Sequence, residues 1–373
     1  MDDSLLSVFR PAVDSDWHPV WDAMWHGQAI GRLALSISPN EERIQRAAKR
    51  VRLDMPEPEE KPHAWTSEWE PALRNQLVYF LAASELSGDQ CPAVGVPRFV
   101  HGQSQGITDV FGCKVEEQPD GNVFAYPLPA DPALVDAVQP APIETSVYWG
   151  AVEWLRCARE ATGGNVAFRN PVMTGPMDTA NYVLGTTILL EWVYTHPDVV
   201  HRLLEKITDV IVRMIGALKD ASGGHLSALH FACLRGGPDL CSELRSLLSV
   251  ELYDEFEAPY LRQIGEAIGP FAAHSCGSWE RHIPSVLSDP NFRAMHGQIR
   301  ENDLAEVCEA IGGRIALAIG PSVNVHSRYT WPDTEAYLRH ILNIVPDTQP
   351  FFTAITEDEL PLWLRLHEEL RGK

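Results

Sequence analysis

The sequence lacks the patterns that mark several classes of protein. It has no CxxC pair, and its seven cysteines are scattered through a chain too large to need disulfide staples. No Lys/Arg cluster interrupts a net charge of −21, so nucleic acid and anionic membrane surfaces are not expected partners. No basic segment followed by an apolar one opens the chain, and no apolar run approaches the ~20 residues of a membrane span. We therefore expect a reduced, cytoplasmic protein.

What is present predicts a folded α/β chain. The 373 residues are 45% hydrophobic and 22% charged, which is ordinary for a globular protein. The clearest helix pattern begins at Pro197 and places apolar residues on one face at the helical period. They are Val200, Leu203, Leu204, Ile207, Ile211, Met214 and Leu218. Two Pro-bearing regions, 57–70 and 116–144, are predicted to be surface loops.

Strand patterns alternate with helix patterns along most of the chain. Eight strands are predicted, each followed by helical residues: 33–38, 94–100, 165–169, 225–232, 271–275, 294–299, 314–319 and 351–355. This order favours a (β/α)₈ barrel that forms a single domain over residues 1–373, with 1–32 as an N-terminal extension. A doubly wound open sheet is the main alternative, but no GxGxxG follows a strand.

In such a barrel the functional residues lie at the carboxyl ends of the strands. The sequence places these polar or thiol side chains there: Ser38, Asn40, Arg169, Asn170, His230, Cys233, His274, Cys276, His296, Gln298, Asn324, His326 and Thr353 to Thr356. Among them, His274 and Cys276 of HSCG (274–277) are two positions apart on a predicted strand, so both side chains face the same way. Directed into the barrel they would form half of a tetrahedral zinc site. A metal-free role in ligand binding and a purely structural role remain alternatives.

Several segments resemble the uroporphyrinogen decarboxylase-like superfamily. They are PVMTGPMDTANYVLG (171–185), LLSVELYDEFEAPYLRQI (247–264), HSCG (274–277) and ENDLAEVCEAIGGRIALAIGPSVNV (301–325). HSCG is similar to the His-x-Cys-Gly of the methyltransferase branch, in which zinc activates a thiol that accepts a methyl group from a corrinoid. The resemblance implies a (β/α)₈ barrel, zinc as cofactor, and a small-molecule substrate with a corrinoid protein as a possible partner. A homodimer remains open.

The zinc ligands implied by the resemblance are incomplete. The branch carries a further Cys on its last strand, where this chain reads FFTAIT (351–356), and Gln298 stands where a methionine synthase relative has an acid. His296, Cys233 and His230 are the candidates for a further ligand. Arg169, Asp178, Gln298, Asn324 and His326 are candidates for substrate binding, and Asp178 is an alternative cap for the helix that follows it.

Two other functions remain open. One is a metal-free decarboxylase, since PVWDAMWHGQAIGR (19–32) resembles an N-terminal motif of the porphyrinogen decarboxylases. It keeps only Arg32, however, and a substrate with many carboxylates requires several arginines. The other is a barrel that binds a small molecule without catalysis. A zinc-dependent methyltransferase is the favoured function.

Overall fold

The computed structural model describes residues 19–51, 69–89, 93–97, 103–118, 123–224, 226–228, 237–298, 301–320 and 331–372. Its strands are β1 Ala34–Ser38, β2 Ala93–Gly95, β3 Lys114–Glu117, β4 Val123–Tyr126, β5 Ala167–Arg169, β6 Leu226–Ser227, β7 Asp239–Cys241, β8 Phe271–Ser275, β9 Phe292–Gln298, β10 Ala316–Gly320 and β11 Phe351–Thr356. Its α-helices are α1 Pro19–Trp25, α2 Glu41–Arg50, α3 Trp69–Ala83, α4 Pro132–Ala137, α5 Gly150–Ala161, α6 Pro176–Leu184, α7 Thr186–Thr195, α8 Pro197–Ser222, α9 Val250–Phe256, α10 Ala258–Ile268, α11 Ile283–Leu287, α12 Leu304–Ile311, α13 Thr334–Ile344 and α14 Leu360–Arg371.

Parallel strands form the wall of a TIM-type (β/α)₈ barrel, as the sequence predicts. A six-stranded sheet runs in the order β1-β11-β10-β9-β8-β7, and a three-stranded sheet runs β2-β5-β6. The two sheets meet where Thr174, after β5, forms a parallel bridge with Cys241 of β7. Where the sequence predicts one strand over 225–232, the structure has β6, and the short strand β7 follows it before β8.

The second junction of the wall lies between β1 and β2, and Asp89 holds it. The Asp89 carboxylate accepts two hydrogen bonds from Arg32, each 2.6 Å long, and one from the Leu35 backbone at 2.9 Å. Its backbone N–H donates to the Leu35 carbonyl at 2.6 Å, and its carbonyl accepts from the Trp21 indole. One residue therefore joins the chain before β2 to strand β1.

Helix α8 of the outer layer has an apolar face that is buried and residues that define both of its ends. Pro197 occupies its first turn, where a missing N–H costs nothing, and the predicted apolar face is buried throughout. The helix ends at Gly223, which adopts the left-handed conformation with φ 73°. Burying that face against the neighbouring helices α5, α6 and α10 and against β6 provides most of the stability of such a helix. None of the helices in the described ranges is long and apolar enough to cross a membrane.

Helix α1 closes the amino-terminal end of the barrel. Its buried side chains Trp21, Met24 and Trp25 follow helical spacing and pack against alanines that line the barrel interior. These alanines are Ala34, Ala228, Ala272, Ala294, Ala316 and Ala318. Small side chains leave room inside the wall for the two indoles, and Trp21 also contacts Phe352 of β11 with ring centroids 4.7 Å apart. The helix is therefore the floor of the barrel.

Three sequence predictions need correction. The region 116–144 is not a bare loop, because it contains the β3–β4 hairpin and helix α4. The residue pattern of 252–268 predicts a single helix, but the structure has two helices that meet at Glu257, because Pro259 has no N–H to continue the helical hydrogen bonds. Strand β7 was not predicted, because three residues are too few to show a period. Most of region 57–70 lies outside the described residues.

Replacing Trp21 with alanine tests the role of the floor. Trp21 is 1% exposed, so we expect Trp21→Ala to lower the free energy of unfolding by about 3–5 kcal/mol. Urea denaturation followed by circular dichroism measures the change. Tyr194→Ala is the control, since Tyr194 is 72% exposed and its loss should change stability by about 0.5 kcal/mol or less. Equal losses in the two variants would contradict this role.

Candidate metal centre

Three neighbouring strands direct their polar residues into the barrel. Cys241 of β7 pairs with His274 of β8, which pairs with His296 of β9. The residues that precede them, Leu240, Ala273 and Met295, belong to the core between the sheet and the helices. Because side chains alternate along a strand, Cys241, His274 and His296 face the interior together.

Two of these strands add a second layer of side chains nearer the carboxyl end, here called the mouth. Cys276 lies two residues beyond His274, and Gln298 lies two beyond His296. Glu243 lies two residues beyond Cys241, in the turn that leads from β7 into the 3₁₀ helix Leu244–Leu247. The backbone N–H of Cys276 donates to Glu243 Oε2 at 2.6 Å, which joins this second layer.

Glu243, His274 and Cys276 bring three metal-binding atoms together. His274 Nε2 lies 3.1 Å from Cys276 Sγ and 3.1 Å from Glu243 Oε1. The carboxylate oxygen, imidazole nitrogen and sulfur all lie within 4.8 Å of one another. The other ring nitrogen of His274 is 2.6 Å from Nδ1 of His296. A ligand between the three donors would therefore meet His274 through Nε2, with Nδ1 held by His296.

The site is electrostatically suited to a cation. Burial and the nearby Glu243 carboxylate raise the pKa of the Cys276 thiol to about 12, and a hydrogen bond with Gln298 opposes them. Burial also raises the pKa of Glu243, but hydrogen bonds with His274 and Cys276 outweigh it, so this pKa lies below its ordinary value. Burial, then Asp239 and Glu243, raise the pKa of Cys241 well above its usual range. Without a cation the site thus holds a carboxylate beside neutral thiols.

The structure places four more of the predicted residues. His296 contacts Nδ1 of His274, on the opposite side of the ring from Cys276 and Glu243. Gln298 forms a hydrogen bond with the Cys276 thiol. Arg169 Nε donates to the Ala93 carbonyl at 2.8 Å, and its guanidinium lies over the Phe80 ring. Asp178 is 3% exposed and accepts the backbone N–H groups of Glu243 and Leu244, so it does not cap its own helix.

Cys233, His230, Asn324 and His326 lie outside the described residues. In the sequence they follow β6 and β10.

Sequence reasoning missed Glu243. The signal was the segment Asp239 to Glu243, DLCSE, in which acid, thiol and acid recur at every second position. That period is the one expected of a strand with one polar face. Three residues of strand followed by a turn are too short for the pattern to stand out.

Comparison with known proteins identifies the family. The profile of the family described as Uroporphyrinogen decarboxylase (URO-D) matches residues 105–318, more than half of the chain. The chain belongs to the uroporphyrinogen decarboxylase family. The match runs from the 3₁₀ helix Gln103–Phe111 into β10, and it includes Glu243, His274 and Cys276.

Two proteins similar to this chain are named as methyltransferases. A methylated-thiol–coenzyme M methyltransferase of Methanosarcina mazei is 28% identical over 184 residues, which are 48% of this chain and 46% of that protein. The chain thus matches about half the length of this curated relative. A solved methyltransferase from Methanosarcina mazei has the same fold, with a TM-score of 0.61 at 16% identity over 94% of this chain and 97% of that one. The curated relative agrees with the methyltransferase branch that HSCG predicts, and the solved structure agrees with the predicted fold.

The raised pKa of Cys276 predicts slow alkylation in the metal-free protein. A pKa of about 12 leaves on the order of one thiol in ten thousand ionised at pH 8, and only the thiolate reacts. After treatment with a chelator, iodoacetamide should therefore modify the exposed Cys157 first, and Cys276 should react faster as the pH rises. Glu243→Gln removes the neighbouring charge and should accelerate Cys276. Mass spectrometry of the labelled peptides gives both rates, and equal rates for Cys157 and Cys276 at pH 8 would contradict the prediction.

Proposed function

We propose that this family member is an enzyme that transfers a methyl group to a small thiol, with zinc bound by Glu243, His274 and Cys276. One observation carries the proposal: a carboxylate, an imidazole and a thiol converge within 4.8 Å at the mouth of the barrel. The sequence predicts His274 and Cys276 as zinc ligands and requires a third. Glu243 is the described residue whose position suits that role.

The three donors fit zinc. Zinc favours thiolate, imidazole and carboxylate ligands at about 2.0–2.3 Å, which sets ligand atoms about 3–4 Å apart. Catalytic zinc keeps three protein ligands and one open position, and this set leaves a position for a substrate thiol. When bound, zinc lowers the pKa of a coordinated thiol and so supplies a thiolate at neutral pH. It would ionise Cys276 for the same reason.

The protein's own groups orient the donors. With His274 Nε2 directed at the zinc position, its proton resides on Nδ1 and is donated to Nδ1 of His296, 2.6 Å away. Glu243 keeps one oxygen near His274 and accepts the Cys276 backbone N–H with the other. Gln298 forms a hydrogen bond with the Cys276 thiol, which supports its proposed role as a substrate contact. Arg169, Asn324 and His326 remain candidate substrate contacts, and Cys233 and His230 remain alternative zinc ligands.

The proposed substrates follow from this chemistry and from the relative. The relative's name describes transfer between a methylated thiol and coenzyme M, so thiols of that kind are the first candidates for the acceptor. We propose a corrinoid, presented by a partner protein, as methyl donor. Transfer from methylcobalamin to a thiol yields a thioether, cob(I)alamin and a proton, and needs no further oxidant or reductant.

A porphyrinogen decarboxylase is less well supported. Its substrate carries many carboxylates and requires several available arginines. Arg32 is held by both oxygens of Asp89, and Arg169 is held by Ala93 and Phe80. Arg245 is fully buried over the Tyr253 ring. These arginines are engaged within the protein itself.

Metal analysis tests the proposal. We expect about one zinc per chain in the purified protein, as for a single catalytic site. Cys276→Ala and Glu243→Ala should lose most of it, while Cys157→Ala, which removes an exposed thiol, should keep it. The zinc protein should also consume methylcobalamin when supplied with coenzyme M or another small thiol, which its absorbance reports. A metal-free wild-type protein would refute the proposal.

His296 distinguishes an orienting group from a ligand. His296→Asn keeps an acceptor oxygen near the position of Nδ1, so zinc affinity should stay close to that of wild type. His296→Leu removes the acceptor and should weaken zinc binding by about 10–100-fold. Competition with a chromogenic chelator measures both affinities. A large loss in the asparagine variant would show that His296 binds zinc directly.

A further inference from the structure

Two buried carboxylates hold the turn that carries Glu243. Asp178 of α6 accepts the backbone N–H of Glu243 through Oδ2 and that of Leu244 through Oδ1, both at 2.7 Å. Glu257, where α9 meets α10, accepts a hydrogen bond from the Ser242 hydroxyl. Three successive residues of the turn are thus bonded to two different parts of the helical layer.

The same turn is tied to the strand that carries the other two donors. The Ser242 backbone N–H donates to the His274 carbonyl at 2.8 Å. Glu243 reaches Cys276 and His274 from the other side of the turn. A shift of the turn therefore moves Glu243 relative to both donors.

Helix capping does not explain these two acids. Asp178 lies in the first turn of α6, yet both of its oxygens bond to a segment about 65 residues further along the chain. Glu257 is fully buried and bonds back to Ser242 instead of to its own helix. Buried carboxylates are costly, and here they lie near one another and near Glu243. Placing both at one turn indicates that the position of that turn matters.

We propose that Asp178 and Glu257 are positioning residues that fix the turn 242–244 so that the Glu243 carboxylate stays directed at His274 Nε2 and Cys276. This inference rests on the proposed function, since Glu243 serves there as a zinc ligand. Asp178 acts through the backbone of Glu243, and Glu257 acts through Ser242. Neither carboxylate reaches the metal position itself.

Asp178→Asn tests the first contact. The variant keeps one oxygen but turns an N–H₂ group toward a backbone N–H, so zinc affinity should fall by about 10–100-fold. Cobalt(II) bound in place of zinc should show an altered visible spectrum, which a loss of stability alone does not produce. Asp289→Asn is the matched control, because Asp289 is also buried and its Oδ1 accepts a backbone N–H, from Asn291, in a turn before β9. Its metal affinity and spectrum should match those of wild type.

Ser242→Ala tests the second contact and serves if Asp178→Asn does not fold. Loss of one hydrogen bond to the turn should weaken zinc binding by about fivefold. In the metal-free protein, nitrogen NMR of ¹⁵N-histidine should show a shift of His274 Nε2 in both variants, because its contact with Glu243 loosens. The control should show none.

The outcomes separate the two claims. A wild-type protein without zinc refutes the proposed function, whereas the histidine spectra still test whether the turn positions Glu243. A wild-type protein that binds zinc, with folded Asp178→Asn and Ser242→Ala variants of unchanged affinity, cobalt spectrum and His274 signal, overturns the positioning role.

Discussion

The site depends on the alternation of side chains across three parallel strands in fixed register. Because Cys241, His274 and His296 pair across β7, β8 and β9, the side chains two residues further on meet at the same level of the mouth. A slip of one residue in any of these strands would turn its donors toward the helices. The apolar residues between them, Leu240, Ala273 and Met295, oppose such a slip because they would lose their place in the outer core.

The helical layer then determines how precisely the donors meet. Strand register brings Glu243 to the mouth, but Glu243 follows the strand in a turn whose backbone is free to vary. Asp178 and Glu257 remove that freedom from outside the barrel, and His296 fixes the ring of His274 from inside. The arrangement therefore has an inner support for the imidazole and an outer support for the carboxylate.

The sequence predicts the barrel, and it predicts that His274 and Cys276 lie side by side. Both predictions depend on patterns of residue spacing within short segments. Alternating strand and helix patterns identify the fold, and a spacing of two residues places an imidazole and a thiol on one side. Glu243 was missed because β7 is three residues long and its role depends on which strands are neighbours. The role of Asp178 depends on a contact with a distant segment, and nothing near Asp178 in the sequence encodes that contact.

The closed amino-terminal end of the barrel affects how substrates enter and how products leave. Trp21, Met24 and Trp25 fill the amino-terminal end, so among the described residues it is the opposite end, the mouth, that leads to the Cys276 thiol. Under the proposed function, a donor protein bound across the mouth would confine the thioether product behind it. Departure of the donor must then precede release of the product, and turnover becomes ordered by geometry alone.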